Sequence, residues 1–177
     1  MKKSTGTRLA LAGLGTALSV IFVTLARFVP NLSLSFTVIA ASGVMLPLCK
    51  NYYREGLLTC VAASVIGFFI VNIGIVSFVV ASSFYIVFTV IWHNKGWNKT
   101  VGYCIKTAYS ILAFYILYKL TGLITVNFAL IPKLGNLRPV IVYILFNIVF
   151  TVAFIVYDIV MVYAYKYLKK LIAKIIK

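Results

Sequence analysis

Few residues in this chain are able to do chemistry. Two carboxylates (Glu55 and Asp158), one histidine (His93) and three cysteines (Cys49, Cys60 and Cys104) are the whole supply of side-chain acids, imidazole and thiols. Acid–base and nucleophilic catalysis need such groups at close quarters. Here they are scattered, with no HExxH, no paired acidic motif and no GxSxG. An odd cysteine count without a CxxC points to neither a disulfide framework nor a metal site. No phosphate-binding glycine loop is present, so the chain is not expected to hydrolyse ATP by itself. The expectation is a protein that is not an enzyme and carries no metal or cofactor.

Most of these groups have a structural reading. Glu55 follows Arg54 at the start of an apolar run, where a negative charge suits the dipole of a helix N-terminus. His93 lies beside Trp92 and close to Trp97, as residues at a membrane interface do. The cysteines serve as small packing residues. Asp158 is the exception, because it falls inside a long apolar run, roughly 10 Å before a lysine cluster. A carboxylate at that depth must face protein or water. It could anchor to a neighbouring helix or to Lys166, couple transport, or meet a partner subunit.

The elements that must position these residues are read from composition. Hydrophobic residues make up 63% of the 177 and mean hydropathy is +1.08, whereas a soluble domain is only about half apolar. The bilayer is therefore expected to solvate most of the surface. Seventeen Lys and Arg stand against two acids, a net charge of +15. The basic residues sit in short clusters between apolar runs, the pattern of loops flanking membrane spans rather than of a nucleic-acid surface. The Met1-Lys2-Lys3 start resembles that of a signal peptide, but the apolar stretch 9–29 exceeds a typical h-region and no A-x-A site follows. It reads as an uncleaved first helix.

A spanning helix needs about 20 mostly apolar residues. Runs at about 9–28, 32–48, 55–71, 74–92, 103–124 and 139–165 predict an all-α bundle of six transmembrane helices, a single membrane domain over 1–177. A basic cytoplasmic tail, 166–177, would follow. With the N-terminus inside, thirteen of the 17 basic residues fall on the cytoplasmic side: Lys2, Lys3, Arg8, Lys50, Arg54, Lys95, Lys99, Lys106, Lys166, Lys169, Lys170, Lys174 and Lys177. Arg27, Lys119, Lys133 and Arg138 remain outside, the bias expected of an even number of spans. The predicted location is the plasma membrane, multi-pass, with both termini cytoplasmic. The longest outer connection, about 125–138, is the segment expected to be a functional loop.

Small residues let helix backbones approach in lipid. Gly6, Ala10, Gly13 and Ala17 form one face of the first span, and Gly15, Thr16 and Ser19 widen it. Gly56, Cys60, Ala63 and Gly67 repeat the device in the third span, and Gly74, Ser77 and Ala81 in the fourth. Two small faces on the first helix exceed what one neighbour needs, so one is available to another subunit.

The first span, Arg8-Leu-Ala-Leu-Ala-Gly-Leu-Gly-Thr-Ala-Leu-Ser-Val-Ile-Phe22, resembles the opening helix of energy-coupling factor (ECF) transporter S components, with Gly13-x-x-x-Ala17 standing for their AxxxA-type motif. Segments 31–40 and 55–69 are similar to the second and third helices of that family. The resemblance implies a substrate-binding subunit that captures a small, vitamin-like solute outside. It would dock through helix one, at Ala10, Gly13 and Ala17, on a transmembrane coupling subunit driven by an ATPase pair. Binding residues would lie in outer loops and helix ends: Arg27, Asn31, Asn72, Asn127, Lys133, Asn136 and Arg138. The cations Arg27, Lys133 and Arg138 would suit an anionic ligand. The competing expectation is a non-transport scaffold subunit of a cell-envelope or cell-shape assembly. A small channel or stand-alone transporter is a further alternative.

Overall fold

The computed structural model describes residues 5–121 and 139–175, and among them every regular element is helical. The first helix, α1 (Thr5–Phe28), is rich in Ala, Leu and Gly and runs until Pro30. Proline lacks the N–H that an α-helix interior needs and is tolerated at the start of a turn. Here it opens a short 3-10 turn, Pro30–Leu32. Next comes α2 (Ser33–Leu48), only 16 residues or about 24 Å long. The chain leaves it through Asn51, whose φ is +61°.

The third helix, α3 (Tyr53–Val71), ends at Asn72, where a φ of +57° breaks the helical path. Asparagine tolerates that left-handed region better than most residues. The chain turns back through Asn72–Gly74 and continues as α4 (Ile75–Phe78), a π-helical turn (Val79–Ser83) and α5 (Phe84–Lys95). The Cys60 thiol donates to the Ser83 carbonyl at 3.4 Å, and these two residues lie nearly equidistant from Asn72, which fixes the hairpin. The stretch read as a continuous fourth span is thus interrupted by a π-turn. Ser82 and Ser83 sit in that turn, and both are buried. Gly96, with φ of +65°, ends α5 as a left-handed cap.

The last two elements are α6 (Lys99–Thr121) and α7 (Pro139–Ile175). At 37 residues α7 joins the expected sixth span to most of the expected tail. No glycine or proline interrupts the sequence between Val140 and Ile175, so nothing stops the helix at 165.

The chain groups into two compact units, one of the described residues up to Gly96 together with those from Val160, the other 97–159. In the first unit α1 and α2 run antiparallel and nearly touch. Ser19 donates to the Ala40 carbonyl at 2.8 Å, and a Cβ on Gly15 would lie 2.5 Å from the Gly43 oxygen. α3 runs parallel to α1, with Thr59 near the Ala12 carbonyl at 3.4 Å. Its small face, Gly56, Cys60, Ala63 and Gly67, is buried. In the second unit α6 lies antiparallel to the first half of α7. Its seam is filled by large side chains: Tyr109 on Phe154, and Phe114 on Phe150 and Tyr143.

Four helical segments are long and apolar enough to cross a membrane: Thr5–Phe28, Tyr53–Phe78, Thr100–Lys119 and Tyr143–Lys174. The second contains the break at Asn72. Ser35–Leu48 is a shorter apolar helix. Rows of exposed aliphatic and aromatic side chains along these segments, such as Leu58, Val65 and Phe69 on α3, give a surface suited to lipid.

Candidate functional site

Three polar constellations stand out, and each lies within one unit. The first is an ion pair. On α6, the Lys106 Nζ donates to both carboxylate oxygens of Asp158 on α7 at 2.7 Å. Their side chains are only 14% and 9% exposed. One turn along, Ser110 and Thr151 share a hydrogen bond of 3.2 Å between hydroxyls. An ammonium and a carboxylate held this way cancel each other's charge and remove both from an apolar surround.

Asp158 thus anchors to a neighbouring helix, and the anchor is Lys106. Lys166 instead lies 5.9 Å from the Tyr163 ring. The positive-inside count placed Lys106 among the cytoplasmic-side cations, and in the structure its ammonium is engaged with Asp158 in the seam between α6 and α7. Antiparallel register decides that pairing, and register is not written in an isolated apolar run.

The second constellation is a hydrogen-bonded hub. The Asn94 amide nitrogen at the end of α5 donates to Asn51 Oδ1 (3.2 Å), Tyr53 Oη (3.2 Å) and Tyr165 Oη (3.0 Å). Tyr165 Oη donates back to Asn94 Oδ1 at 3.2 Å. Two amide hydrogens shared among three acceptors tie the start of α3, the end of α5 and the last part of α7 to one point. The Lys169 ammonium lies 5.5 Å above the Tyr165 ring. Next to the hub is a narrow crevice lined by Met45, Thr89, His93, Met161 and Tyr165 among others, with room for about one water molecule. His93 is itself exposed, and Glu55 in the first turn of α3 reaches Arg8 at 3.8 Å. Among the described residues no group of three His, Cys, Asp or Glu side chains converges on a metal-sized point.

The third is the outward side of α1. Ala10, Gly13 and Ala17 are exposed, and a Cβ on Gly13 would meet nothing within 4 Å. Gly15 and Ser19, on the other side, are buried against α2 and α3. The two small faces therefore have different fates: one is consumed in packing and the other is bare.

Of the residues expected to bind a solute, Arg27, Asn31 and Asn72 are all exposed. The parallel course of α1 and α3, with Val23 near Gly67, puts them at the same end of the first unit, opposite the hub. Asn127, Lys133, Asn136 and Arg138 lie outside the described residues. Sequence reasoning did not single out Gly43 or Asn94, and it read Tyr165 only as one of the interfacial group Tyr163, Tyr165 and Tyr167. For Gly43 a signal existed in the run of small residues Ala40-Ala41-Ser42-Gly43; for the hub there was none, since single Asn and Tyr residues are common at helix ends.

The cysteines differ in a way that labelling can read. Cys104 is exposed, while Cys49 and Cys60 are buried. Burial pushes the Cys49 thiol up to about 12, with the Lys169 ammonium opposing. The thiolate is the reactive form. Maleimide treatment of the folded protein near neutral pH is therefore expected to add one label, seen by intact mass, and Cys104→Ser should abolish it. Two or three labels on the folded protein would contradict the burial of the other thiols.

Comparison with known proteins gives no match to any family model, any curated protein or any solved structure.

Proposed function

We propose that this chain is a six-span membrane protein with both termini cytoplasmic, serving as the substrate-binding subunit of an ECF-type importer. It would capture a small, vitamin-like, anionic solute on the outer side. Docking on a transmembrane coupling subunit and its ATPase pair would use Ala10, Gly13 and Ala17. The observation that carries this reading is the division of α1: its Gly15–Ser19 side is used within the chain, and its Gly13 side is open. In lipid there is little hydrophobic drive between helices, and a bare small-residue stripe gains most from a second backbone at close range. The basic bias of the loops supports the orientation. The resemblance of the first 70 residues in pattern supports the family.

Affinity purification of the full chain from its native membrane tests the reading. A larger membrane subunit and two ATPases should co-purify, and native mass spectrometry should find a small molecule retained. Gly13→Leu with Ala17→Leu should abolish the assembly without lowering thermal stability, because neither position is covered by the described residues. Assembly that survives the double substitution would exclude this docking face. Recovery with cell-envelope assembly proteins, without ATPases and without a solute, would make the chain a scaffold instead.

A further inference from the structure

From Val160 onward α7 carries two stripes. Met161, Tyr165, Leu168 and Ile172 recur at steps of four, three and four; Leu168 is half-buried and the other three are buried. Tyr163, Lys166, Tyr167, Lys170 and Lys174 lie on the other side, and all are exposed. The two tyrosines are 69% and 65% exposed, unusual for large rings in water but ordinary at headgroup depth. Val160, one turn before Tyr163, is half exposed as well. Along about 21 Å of helix this side changes from aliphatic to phenolic to ammonium. That is the order in which a bilayer changes from acyl chains to headgroups.

The chain supplies no side-chain carboxylate for these lysines. Its only two are engaged elsewhere, Glu55 with Arg8 and Asp158 with Lys106. The same end of this unit also carries the exposed Arg54. A cluster of cations without acidic neighbours calls for an external anion, and the interleaved tyrosines with the flanking Leu171 (38% exposed) favour a lipid surface over a hydrated acidic protein.

We propose that the Tyr163, Lys166, Tyr167, Lys170 and Lys174 face is a binding surface for anionic phospholipid headgroups, seating the end of α7 on one leaflet. Phosphates are held by the lysine ammoniums, and the phenol rings lie at the level of the glycerol backbone.

The experiment uses the full chain in nanodiscs of equal phosphatidylcholine and phosphatidylglycerol, followed by brief detergent exchange and native mass spectrometry of the lipids retained. Phosphatidylglycerol should be retained over phosphatidylcholine, and the ratio should fall by about tenfold or more in K166Q/K170Q/K174Q, since each lysine near an anionic surface changes binding several-fold. K166R/K170R/K174R should keep the preference. Thermal stability should be the same in all three proteins, because these side chains are exposed. A ratio of one in the unsubstituted chain, or an unchanged ratio in the glutamine variant, overturns the proposal. So does tight capture of poly-glutamate by pure phosphatidylcholine discs without any lipid preference in mixed ones, which would assign the stripe to an acidic protein.

Discussion

Asp158→Ala is expected to destabilise the protein by about 3–5 kcal/mol, because it leaves the Lys106 ammonium buried without its counter-charge. For a chain of this size that corresponds to a fall in Tm of about 10 °C, measurable by thermal unfolding in a mild detergent. Lys106→Ala should act similarly, leaving the carboxylate stranded. Removing both charges together, as Lys106→Met with Asp158→Leu, is expected to restore most or all of the stability, since a buried ion pair is often no better than an apolar replacement of similar volume. The double variant also separates structure from function. Where the unsubstituted chain supports the proposed import, loss of that import in a double variant that folds normally would give the pair a part in coupling. If it transports normally, the pair only joins α6 to α7. An Asp158→Ala protein with unchanged Tm would show that the ammonium escapes to water and that the seam does not depend on the pair.

Much of the architecture was legible in the apolar runs. α1, α2 and α3 end at Phe28, Leu48 and Val71, where the expected runs 9–28, 32–48 and 55–71 end, and Pro30, Asn51 and Asn72 follow them. Those residues act locally, through a fixed φ, a missing N–H or a left-handed backbone, so they can be read without a fold. The π-turn at Val79–Ser83 could not be read this way. Its serines, Ser82 and Ser83, are no signal by themselves, since Ser19 sits in the unbroken α1, and its path is set by neighbours such as Cys60. The length of α7 was obscured for a different reason. The change from aliphatic residues to lysines at Lys166 marks a change of solvent along the helix, not an end of the helix.

The candidate site was legible in its chemistry and not in its pairings. Asp158 was singled out because a carboxylate inside an apolar run demands a partner, but the identity of that partner depended on the stagger of α6 against α7. Lys106 lay inside the expected 103–124 run, which set it apart from Lys95 and Lys99, but nothing local tied it to Asp158. The small residues of α1 were likewise visible as a group, while the division between a consumed and a bare side needed α2 in place. The seam between α1 and α2 brings backbones together over glycines; the seam between α6 and α7 is filled by rings and one ion pair. Both are ways of replacing the missing hydrophobic drive between helices in lipid, the first by dispersion contacts at short range and the second by electrostatics in a low dielectric.

That contrast gives one substitution opposite signs two residues apart in the same helix. Gly15→Ala places a Cβ 2.5 Å from the Gly43 carbonyl oxygen. A backbone oxygen cannot rotate away as a side-chain end can, so α1 and α2 must part. Separation weakens the Ser19 hydrogen bond to the Ala40 carbonyl, and the same Cβ lies 3.2 Å from the Thr59 methyl on α3. Overpacking of this kind costs about 1–3 kcal/mol, and the lost hydrogen bond adds about 1 kcal/mol. Alanine gains back only about 0.5–1 kcal/mol of helix preference over glycine. Gly43→Ala should be at least as severe, since its Cβ would meet both the Ser19 hydroxyl and the Gly15 oxygen. Gly13→Ala meets open space, so only the helix preference remains, and stability should rise by about 0.5–1 kcal/mol. Thermal unfolding of the three variants in one detergent reads the signs directly. A loss of stability at Gly13 in the isolated chain would mean that its bare face is already covered, and a neutral Gly15→Ala would mean that α1 and α2 do not meet at their glycines.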